Sequence, residues 1–482
     1  MKKKSDKIVI LLVIMAVCAI LSWIVKGGSF DAGSFTDLGM SRAGLYDLLL
    51  VVSSAIYYKY TDIIYILIVG GCYGVLMRTD SYKMLVTKTS NLVKRNASVA
   101  FGIITVLMGA YCSITSEIMA LFFLVPFIYS VFIKAGMDKV TSIAAAFGGM
   151  FVGFFGLTFG TFGVKYLNEY ANIDFGNLIA FRVVIFLVTA VLYNLFAILH
   201  IKNMDEEDED ESDLDIYYAE DVDQIKVKNY KQKKELKNRK TAFVVSIVLA
   251  VIMIIIVLLA YINWNSSFNV SLFDNVYKKF SEGFKIADVP FFSTLIGSNI
   301  GAFGTWSDLL PVGFLLVIVT VIVALFNKVS LNAFVRYFGN GCKKISKVAF
   351  IYGFAFIVLF LVSSYPWPFT MINALFGDGS FNLLTLLLIA FIASIFTVDL
   401  NFSGYTFGPY LGITFVENLT VAGLIWQLGG AFALVLAPTS YILLSALTYA
   451  DIPYVDWLKY IWKFAVTLLI AIIIILLIVV YV

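Results

Sequence analysis

Residues 421–449 read VAGLIWQLGGAFALVLAPTSYILLSALTY, a continuous apolar run that contains a glycine pair and then Pro438. As one α-helix this run would be about 44 Å long at 1.5 Å per residue, whereas the hydrocarbon core of a bilayer is about 30 Å thick. Proline frees a backbone carbonyl, which needs another partner inside a membrane. The run therefore predicts a membrane-spanning helix that is broken at Pro438.

Other apolar runs of about 20 residues, enough to span a bilayer, recur from end to end of the chain. Hydrophobic residues make up 61% of the 482 residues and charged residues only 14%. A soluble protein of this size could not keep so much apolar side chain away from water. The composition predicts an all-α polytopic membrane protein with about 11–13 membrane segments. It excludes a coiled coil, a disordered chain and a secreted disulfide scaffold.

The basic residues predict the orientation of the spans. Lysines within residues 1–7 precede an apolar run at 8–25, which we interpret as an uncleaved first span because no A-x-A cleavage motif follows it. By the positive-inside rule the N-terminus is cytoplasmic, and Lys459 and Lys463 at the entrance to the last span place the C-terminus outside. We therefore expect a multi-pass protein of the plasma (inner) membrane.

One long hydrophilic segment divides the chain into two halves. It is acidic at first and then basic, which predicts a mostly disordered cytoplasmic linker. Basic clusters at residues 78–95 and 328–347 predict further cytoplasmic loops, and polar residues at 401–415 predict a broken region. The predicted segments are N-terminal spans with a basic loop (1–97), a first transport repeat (98–200), the linker (201–240), connecting spans (241–364) and a second transport repeat (365–482).

Each half contains a span, a polar hairpin and then a span interrupted by Gly, Thr, Ser or Pro. Broken helices at matching places in two halves are typical of secondary transporters. The charge pattern predicts that the halves have opposite orientations in the membrane. The predicted fold is therefore two inverted repeats with re-entrant hairpins and broken helices.

Polar residues at membrane depth are costly, which makes them candidates for function. The candidate substrate- or ion-binding residues are Ser113, Thr115, Ser116, Glu117, Thr158, Gly160, Thr161, Asn401, Ser403, Gln427, Gly429, Pro438, Thr439 and Ser440. Hydroxyls and freed carbonyls at the helix breaks are suitable Na⁺ ligands, and Thr158, Thr161, Thr439 and Ser440 are the predicted set.

Several of these features have alternative interpretations. Glu117 is predicted either as a proton or cation site or as an interfacial carboxylate that caps a helix N-terminus. The pair Gly149 and Gly153 predicts either an unwound helix or simple helix packing. Asp399 and Glu417 are predicted to be solvated at loop ends.

Several classes of function are excluded. The sequence has no Gly-Lys dipeptide and hence no P-loop, and with one histidine, His200, it can form neither an H-E-x-x-H zinc site nor a Ser-His-Asp triad in the membrane. We expect no enzyme activity, no cofactor and no nucleic-acid partner. The basic run at 226–240 is explained as an orientation signal beside anionic lipid.

Several motifs, taken in order, resemble those of the YfcC family, relatives of the anaerobic four-carbon dicarboxylate carriers within the ion-transporter superfamily. They are DIIYILIVGGCYGVLM (62–77), Ser116-Glu117, FFLVP (122–126), GMD (136–138), PTS (438–440), LTYA (447–450), and PY with WLK (453–459). The chain departs from that family at three places. Ser116-Glu117 replaces two acids, Gly160-Thr161-Phe162 replaces Asn-Pro-Phe, and Gly429-Gly430-Ala431 replaces Gly-Asp-Gly.

The resemblance implies two inverted repeats, each with a hairpin and a broken helix, that meet near the midplane of the membrane. It implies an ion-coupled symporter or exchanger of a small metabolite, either a basic amino acid or a carboxylate such as a dicarboxylate, with Na⁺ or H⁺ as the coupling ion. By superfamily analogy we expect a homodimer. The alternatives are a passive channel, which would tolerate loss of Glu117, and a membrane-embedded lipid-modifying enzyme.

Overall fold

The computed structural model describes residues 6–481 except 32–33, 160–163, 174–177, 205–231, 284, 287–288, 298–299 and 378. The described chain consists mainly of α-helices, with two short antiparallel sheets. The elements before the charged linker are α1 (Asp6–Leu21), β1 (Gly27–Asp31), β2 (Ser34–Gly39), α2 (Leu45–Tyr58), α3 (Tyr60–Leu76), α4 (Asp80–Arg95), α5 (Ala97–Thr115), a 3-10 helix (Met119–Leu124), α6 (Val125–Lys134), α7 (Lys139–Phe155), α8 (Val164–Ala171) and α9 (Ile179–Met204).

The elements after the linker begin with a long helix and two short amphipathic ones. They are α10 (Gln232–Tyr261), α11 (Trp264–Phe268), α12 (Leu272–Gly283), β3 (Lys285–Ile286), β4 (Val289–Pro290), α13 (Phe291–Ile296), α14 (Leu310–Phe326), α15 (Leu331–Phe354), α16 (Ile357–Ser364), α17 (Trp367–Phe376), α18 (Leu383–Thr397), α19 (Leu400–Thr414), a 3-10 helix (Val416–Asn418), α20 (Leu419–Leu436), α21 (Tyr441–Tyr449) and α22 (Tyr454–Tyr481).

The prediction of an all-α polytopic membrane protein is confirmed. Within the described residues, six helical segments are long and apolar enough to cross a membrane, and α2 with α3, which are bent by 64° at Lys59, make a seventh if the bent pair is one span. Five shorter apolar helices accompany them. The six long segments are Ala97–Thr115, Ile179–Ile201, Lys240–Tyr261, Leu331–Ser364, Val416–Tyr449 and Tyr454–Val480.

Two predicted loops are helical instead. The basic cluster at 78–95 forms most of α4, whose buried face includes Val86 and Val93 and whose last turn carries Lys94 and Arg95. Cations in the last turn interact favourably with the helix dipole, so the charges support this helix. The cluster at 328–347 lies largely in α15, which begins after Ser330, whose side chain accepts a hydrogen bond from the backbone N–H of Ala333.

Three other boundaries differ from the predictions. The polar region at 401–415 is not broken, because α19 is one helix that contains Pro409, and the interruption precedes it. The linker is shorter than predicted, because α10 begins at Gln232 in a run of good helix formers, and residues 205–231 lie outside the described chain. The β1–β2 hairpin and α2 were not foreseen.

Two series of helices, α5–α9 and α18–α22, follow the same order, and we call them the first and second repeat. Each contains a helix, a sharp turn, a second helix, a broken helix and a long final helix. Matching ring pairs join the two repeats. Tyr129 of α6 packs against Tyr449 of α21 with ring centroids 5.4 Å apart, and Tyr170 of α8 packs against Tyr405 of α19 at 5.1 Å. The short half of each broken helix therefore lies against the other repeat.

Outside the repeats, α3 and α15 pack with unusually close backbones. Gly341 of α15 faces Gly70 and Gly74 of α3, and a Cβ atom on Gly341 would overlap the carbonyl oxygen of Gly70. Small residues at a helix crossing allow this approach in a membrane. The crossing brings Tyr352 of α15 beside Asp62 in the first turn of α3.

Candidate functional site

A cavity of about 240 Å³, which we call the main cavity, opens between the two repeats and the bend at Lys59. Its lining residues come from the α2–α3 bend, from the turns that follow α5 and α18, from the segment before α14, and from α7, α15, α19 and α21. They are Tyr58, Lys59, Thr61, Asp62, Ser116, Glu117, Ile118, Met119, Phe154, Ser307, Leu309, Tyr352, Asp399, Leu400, Asn401 and Tyr441. Of the predicted site residues, Ser116, Glu117 and Asn401 lie here.

The turns after α5 and α18 have the same construction, and we call residues 115–117 the first tip and residues 397–399 the second tip. Each tip reads Thr, a residue with positive φ, and an acid: Ser116 has φ 61° and Val398 has φ 64°. In each, the threonine hydroxyl donates a hydrogen bond to the carbonyl four residues earlier, at 2.9 Å from Thr115 and 3.0 Å from Thr397. Each helix therefore stops abruptly and presents a carboxylate to the main cavity.

The hydrogen bonds around Glu117 bear on its interpretation as a helix cap. The backbone N–H of Glu117 donates to the Thr115 hydroxyl at 3.1 Å, and the N-cap of the following 3-10 helix is Ile118, without a side-chain cap. Glu117 is thus a residue of the cavity wall and not a helix cap.

The prediction for Asp399 was wrong. Asp399 is 9% exposed rather than solvated, and one carboxylate oxygen accepts a hydrogen bond from the backbone N–H of Phe402 at 2.7 Å, which caps α19. Glu417 is exposed, as predicted.

A charged pair, which the sequence analysis missed, also lines the main cavity. The Lys59 ammonium lies 3.6 Å from the Asp62 carboxylate, to which the Tyr352 hydroxyl donates a hydrogen bond at 2.8 Å. Lys59 also interacts electrostatically with Glu117 and Asp399. The signal was present in the sequence, because ionisable residues inside an apolar segment mark functional sites.

The broken helices are interrupted after α7, where residues 156–159 are described, and after α20 at residues 437–440; we call these the first and second break. Thr158 donates its hydroxyl to the carbonyl of Ser113 at 3.2 Å, and Thr439 donates its hydroxyl to the carbonyl of Ile395 at 2.8 Å. Both acceptors lie three residues before the positive-φ residue of a tip. Each threonine therefore connects a break, by a hydrogen bond, to the end of the helix that precedes the tip in the same repeat.

The second break borders a small cavity of about 20 Å³, lined in part by Ser394, Asp399, Thr439 and Ser440. The break at Pro438 is confirmed, and Ser440 caps α21 by accepting from the backbone N–H of Leu443 at 3.2 Å. Among the residues that the structure describes, no group of three or more His, Cys, Asp or Glu is arranged to hold a metal ion. The Na⁺ role of the hydroxyls stays a prediction.

Two buried side chains donate hydrogen bonds to the carbonyls at and just after the end of α7. Gln427 of α20 donates to the carbonyls of Phe154 and Phe155 at 3.4 and 3.3 Å. Arg182 of α9, 2% exposed, donates to the carbonyl of Leu157 at 3.1 Å and also to the side-chain oxygen of Gln427. Gln427 thus links the repeats rather than lining the main cavity. The sequence analysis missed Arg182, although an arginine inside an apolar run is a signal of function.

The remaining predicted residues lie apart from the main cavity. Ser113 and Thr158 are hydrogen-bonded to each other, with hydroxyl oxygens 3.2 Å apart. Ser403 accepts a hydrogen bond from Trp426 at 2.9 Å, and Gly429 packs against Ala390 of α18. Gly149 and Gly153 pack against α5, so the interpretation as helix packing is correct. Gly160 and Thr161 lie outside the described residues.

Comparison with known proteins places the chain in a family. A model of the family described as C4-dicarboxylate anaerobic carrier, DcuC, matches residues 5–481. A comparison with curated proteins finds no match. Among solved structures that match is the YdaH transporter of Alcanivorax borkumensis, at 12% identity, covering 98% of this chain and 96% of that chain, with a TM-score of 0.37. That likeness is too distant to support an inference about the site.

The family match, by contrast, extends over nearly the entire chain and agrees with its helical, multi-pass architecture. It also agrees with the resemblance found in the sequence motifs. The protein is therefore a membrane carrier and not an enzyme, and it belongs to the DcuC family of C4-dicarboxylate anaerobic carriers.

Proposed function

We propose that the protein is a secondary carrier of a C4-dicarboxylate, and that binding of the dianion is coupled to protons or Na⁺ ions that neutralise Glu117 and Asp399. One observation supports the coupling most directly. The main cavity brings together the acids of both tips, although they lie in different repeats. The family match supports the substrate class.

The charges around the main cavity explain why coupling is needed. Lys59 is paired with Asp62 and also interacts with Glu117 and Asp399, so one cation faces three carboxylates when these acids are ionised. Like charges repel each other more strongly in such a site than in water, because the effective dielectric constant is lower. A dianion would meet that repulsion from both tips. Protons or monovalent cations at the two acids remove it, which links substrate binding to the ion gradient.

The same surplus of carboxylates favours a second candidate, a carrier of a basic amino acid. The cationic side chain of such a substrate would replace the coupling ions beside Glu117 and Asp399. Its own carboxylate would then need a separate cationic partner, and Lys59 is the only cationic side chain among the described residues that line the main cavity.

Uptake into proteoliposomes distinguishes these candidates. Labelled succinate and labelled arginine would be offered to the wild type under imposed Na⁺, proton and voltage gradients. We expect gradient-driven accumulation of succinate, whereas accumulation or exchange of arginine alone would favour the amino-acid carrier. Leak of solutes that no gradient drives would contradict both and indicate a passive channel.

Variants of the tip acids test the coupling. We expect Glu117→Gln and Asp399→Asn each to abolish gradient-driven accumulation, because a neutral amide cannot exchange a proton or pair with a cation. Glu417→Gln is the matched control, since Glu417 is an exposed acid away from the main cavity. Accumulation that survives in both tip variants would overturn the proposed role of the acids.

The orientation of the chain belongs to the same proposal. We place the protein in the plasma (inner) membrane with the N-terminus in the cytoplasm and the C-terminus outside, because of the positions of the lysines. Assembly as a homodimer and Na⁺ binding by the hydroxyls of Thr158, Thr439 and Ser440 are also proposals. The last of these is supported by the small cavity beside Asp399, which two of the three hydroxyl-bearing residues line.

A further inference from the structure

We propose that Lys59 binds the carboxylate group of the transported substrate, a binding site contributed by a helix bend that lies outside both repeats. This inference rests on the proposed carrier function and holds for either substrate class, because dicarboxylates and amino acids both carry a carboxylate. The acids of the tips then face the other end of the substrate, where the two classes differ.

The position of Lys59 supports this role. It joins α2 to α3 at the 64° bend, and its side chain lines the main cavity. The neighbouring Thr61 also lines the main cavity and offers a hydroxyl. The bend thus combines a full positive charge with a neutral hydrogen-bond donor.

The contacts of Lys59 hold its ammonium group in place and leave its N–H groups able to donate hydrogen bonds. The nitrogen lies 4.9 Å from the ring centroids of both Tyr58 and Phe356, which are cation–π distances. The separation of 3.6 Å from Asp62 is longer than a hydrogen bond. An ammonium group has three N–H donors, so it can bind an incoming carboxylate while it keeps the electrostatic contact with Asp62.

Asp62 is held by a different group, which keeps it from competing fully for the lysine. The Tyr352 hydroxyl donates to it at 2.8 Å from α15, and the close α3–α15 crossing fixes that geometry. Asp62 therefore lowers the cost of burying the lysine in the empty carrier, and a substrate carboxylate shares the same ammonium on binding. The lysine side chain is 21% exposed, so it is accessible from the main cavity.

The test measures binding of succinate, arginine and their amide analogues, in which every carboxylate is a carboxamide (succinamide and argininamide), to purified protein in lipid nanodiscs. We expect Lys59→Met to weaken binding of the parent compound by at least about 10-fold, because a charge-assisted hydrogen bond is lost. Lys59→Arg should keep most of the affinity. Analogues without the recognised carboxylate should bind weakly to the wild type and lose nothing further in Lys59→Met, a pattern that a purely structural role would not produce.

Lys344→Met is the matched control, because Lys344 is exposed on α15 away from the main cavity and should leave all affinities unchanged. A second measurement needs no variant: succinate or arginine should slow acetylation of Lys59 in the wild type several-fold and leave Lys344 unaffected. Unchanged affinity in Lys59→Met, or unprotected Lys59 at saturating substrate, would overturn the assignment while the carrier function stands. Failure of the wild type to bind any carboxylate compound would overturn both.

Discussion

The first and second repeats share a backbone design and differ in the side chains that stabilise it. At both tips a threonine back-bonds to its own helix and an acid follows a residue of positive φ. Around the first tip, however, the corresponding positions are polar, with Ser113 and Ser116, and around the second they are apolar, with Ile395 and Val398. The shape of the tips is therefore common to the repeats, whereas their capacity to bind polar ligands is not.

The ends of the broken helices differ more strongly. In the first repeat, Arg182 and Gln427 satisfy the carbonyls, and Gln427 comes from the other repeat. In the second, Trp457 donates to the carbonyl of Val435 at 3.0 Å, and the Tyr454 hydroxyl donates to the carbonyl of Leu436. Arg182 and Trp457 are each the fourth residue of the last helix in their repeat. The hydrogen bond from the charged Arg182 to Gln427, which joins the two repeats, thus corresponds to the neutral hydrogen bond from Trp457 to Val435 within the second repeat.

The largest effect is expected from Arg182→Met. Two buried acceptors, the Leu157 carbonyl and the Gln427 side chain, would lose their donor, at about 1–3 kcal/mol each. We expect the free energy of unfolding to fall by about 2–5 kcal/mol, measured by denaturant unfolding in detergent micelles. Arg182→Lys should recover part of the loss. An unchanged unfolding curve would mean that the charged link is not a stabilising feature.

Trp457→Phe makes the corresponding change in the second repeat and should cost less. It removes one neutral donor from the Val435 carbonyl and keeps most of the ring, so a loss of about 1–2 kcal/mol is expected. The same unfolding measurement applies. A loss as large as that of Arg182→Met would remove the distinction between a charged and a neutral cap.

Alanine substitution of the two tip acids should separate the loss of stability due to the lost charge from the loss due to the lost helix cap. Asp399 caps α19 and Glu117 caps no helix, so Asp399→Ala should destabilise the protein by about 1 kcal/mol more than Glu117→Ala. Asp399→Asn keeps the cap and is the control for loss of charge alone. Equal destabilisation by the two alanine variants would contradict this difference between the tips.

The smallest expected effect is a gain in the free energy of unfolding. Val398 is β-branched and has φ 64°, a conformation that costs such a residue about 1 kcal/mol or more. Val398→Gly should therefore raise the free energy of unfolding by about 0.5–1 kcal/mol, whereas Ser116→Gly at the first tip should change it less. Destabilisation by Val398→Gly would show that packing of the valine outweighs its backbone strain.

Sequence reasoning identified the parts of this architecture that depend on hydrophobicity and on proline. The run that contains Pro438 is broken as expected, because proline has a defined backbone effect. Basic clusters were wrongly interpreted as loops, because charge determines the side of the membrane and leaves secondary structure open. The bend at Lys59 has neither glycine nor proline, so no residue marked it in the sequence.

The tips show why part of the site was missed. Thr115-Ser116-Glu117 and Thr397-Val398-Asp399 are readable as a repeat of Thr-x-acid, and Asp399 was predicted at a loop end, but valine is an improbable residue at positive φ, so the matching shape of the second turn was not predicted. Lys59, Asp62 and Arg182 were detectable by the rule that ionisable residues in apolar runs mark function. The contact between Arg182 and Gln427 needed coordinates.

The link between Arg182 and Gln427 has a consequence for biosynthesis. The two residues are 245 positions apart, and the Tyr129–Tyr449 and Tyr170–Tyr405 ring contacts also join residues that are far apart in the chain. During translation the first repeat enters the membrane long before these partners have been made, so the end of α7 lacks the Gln427 donor until α20 is inserted. The contacts that hold the end of α7 are therefore completed only after the second repeat has been made.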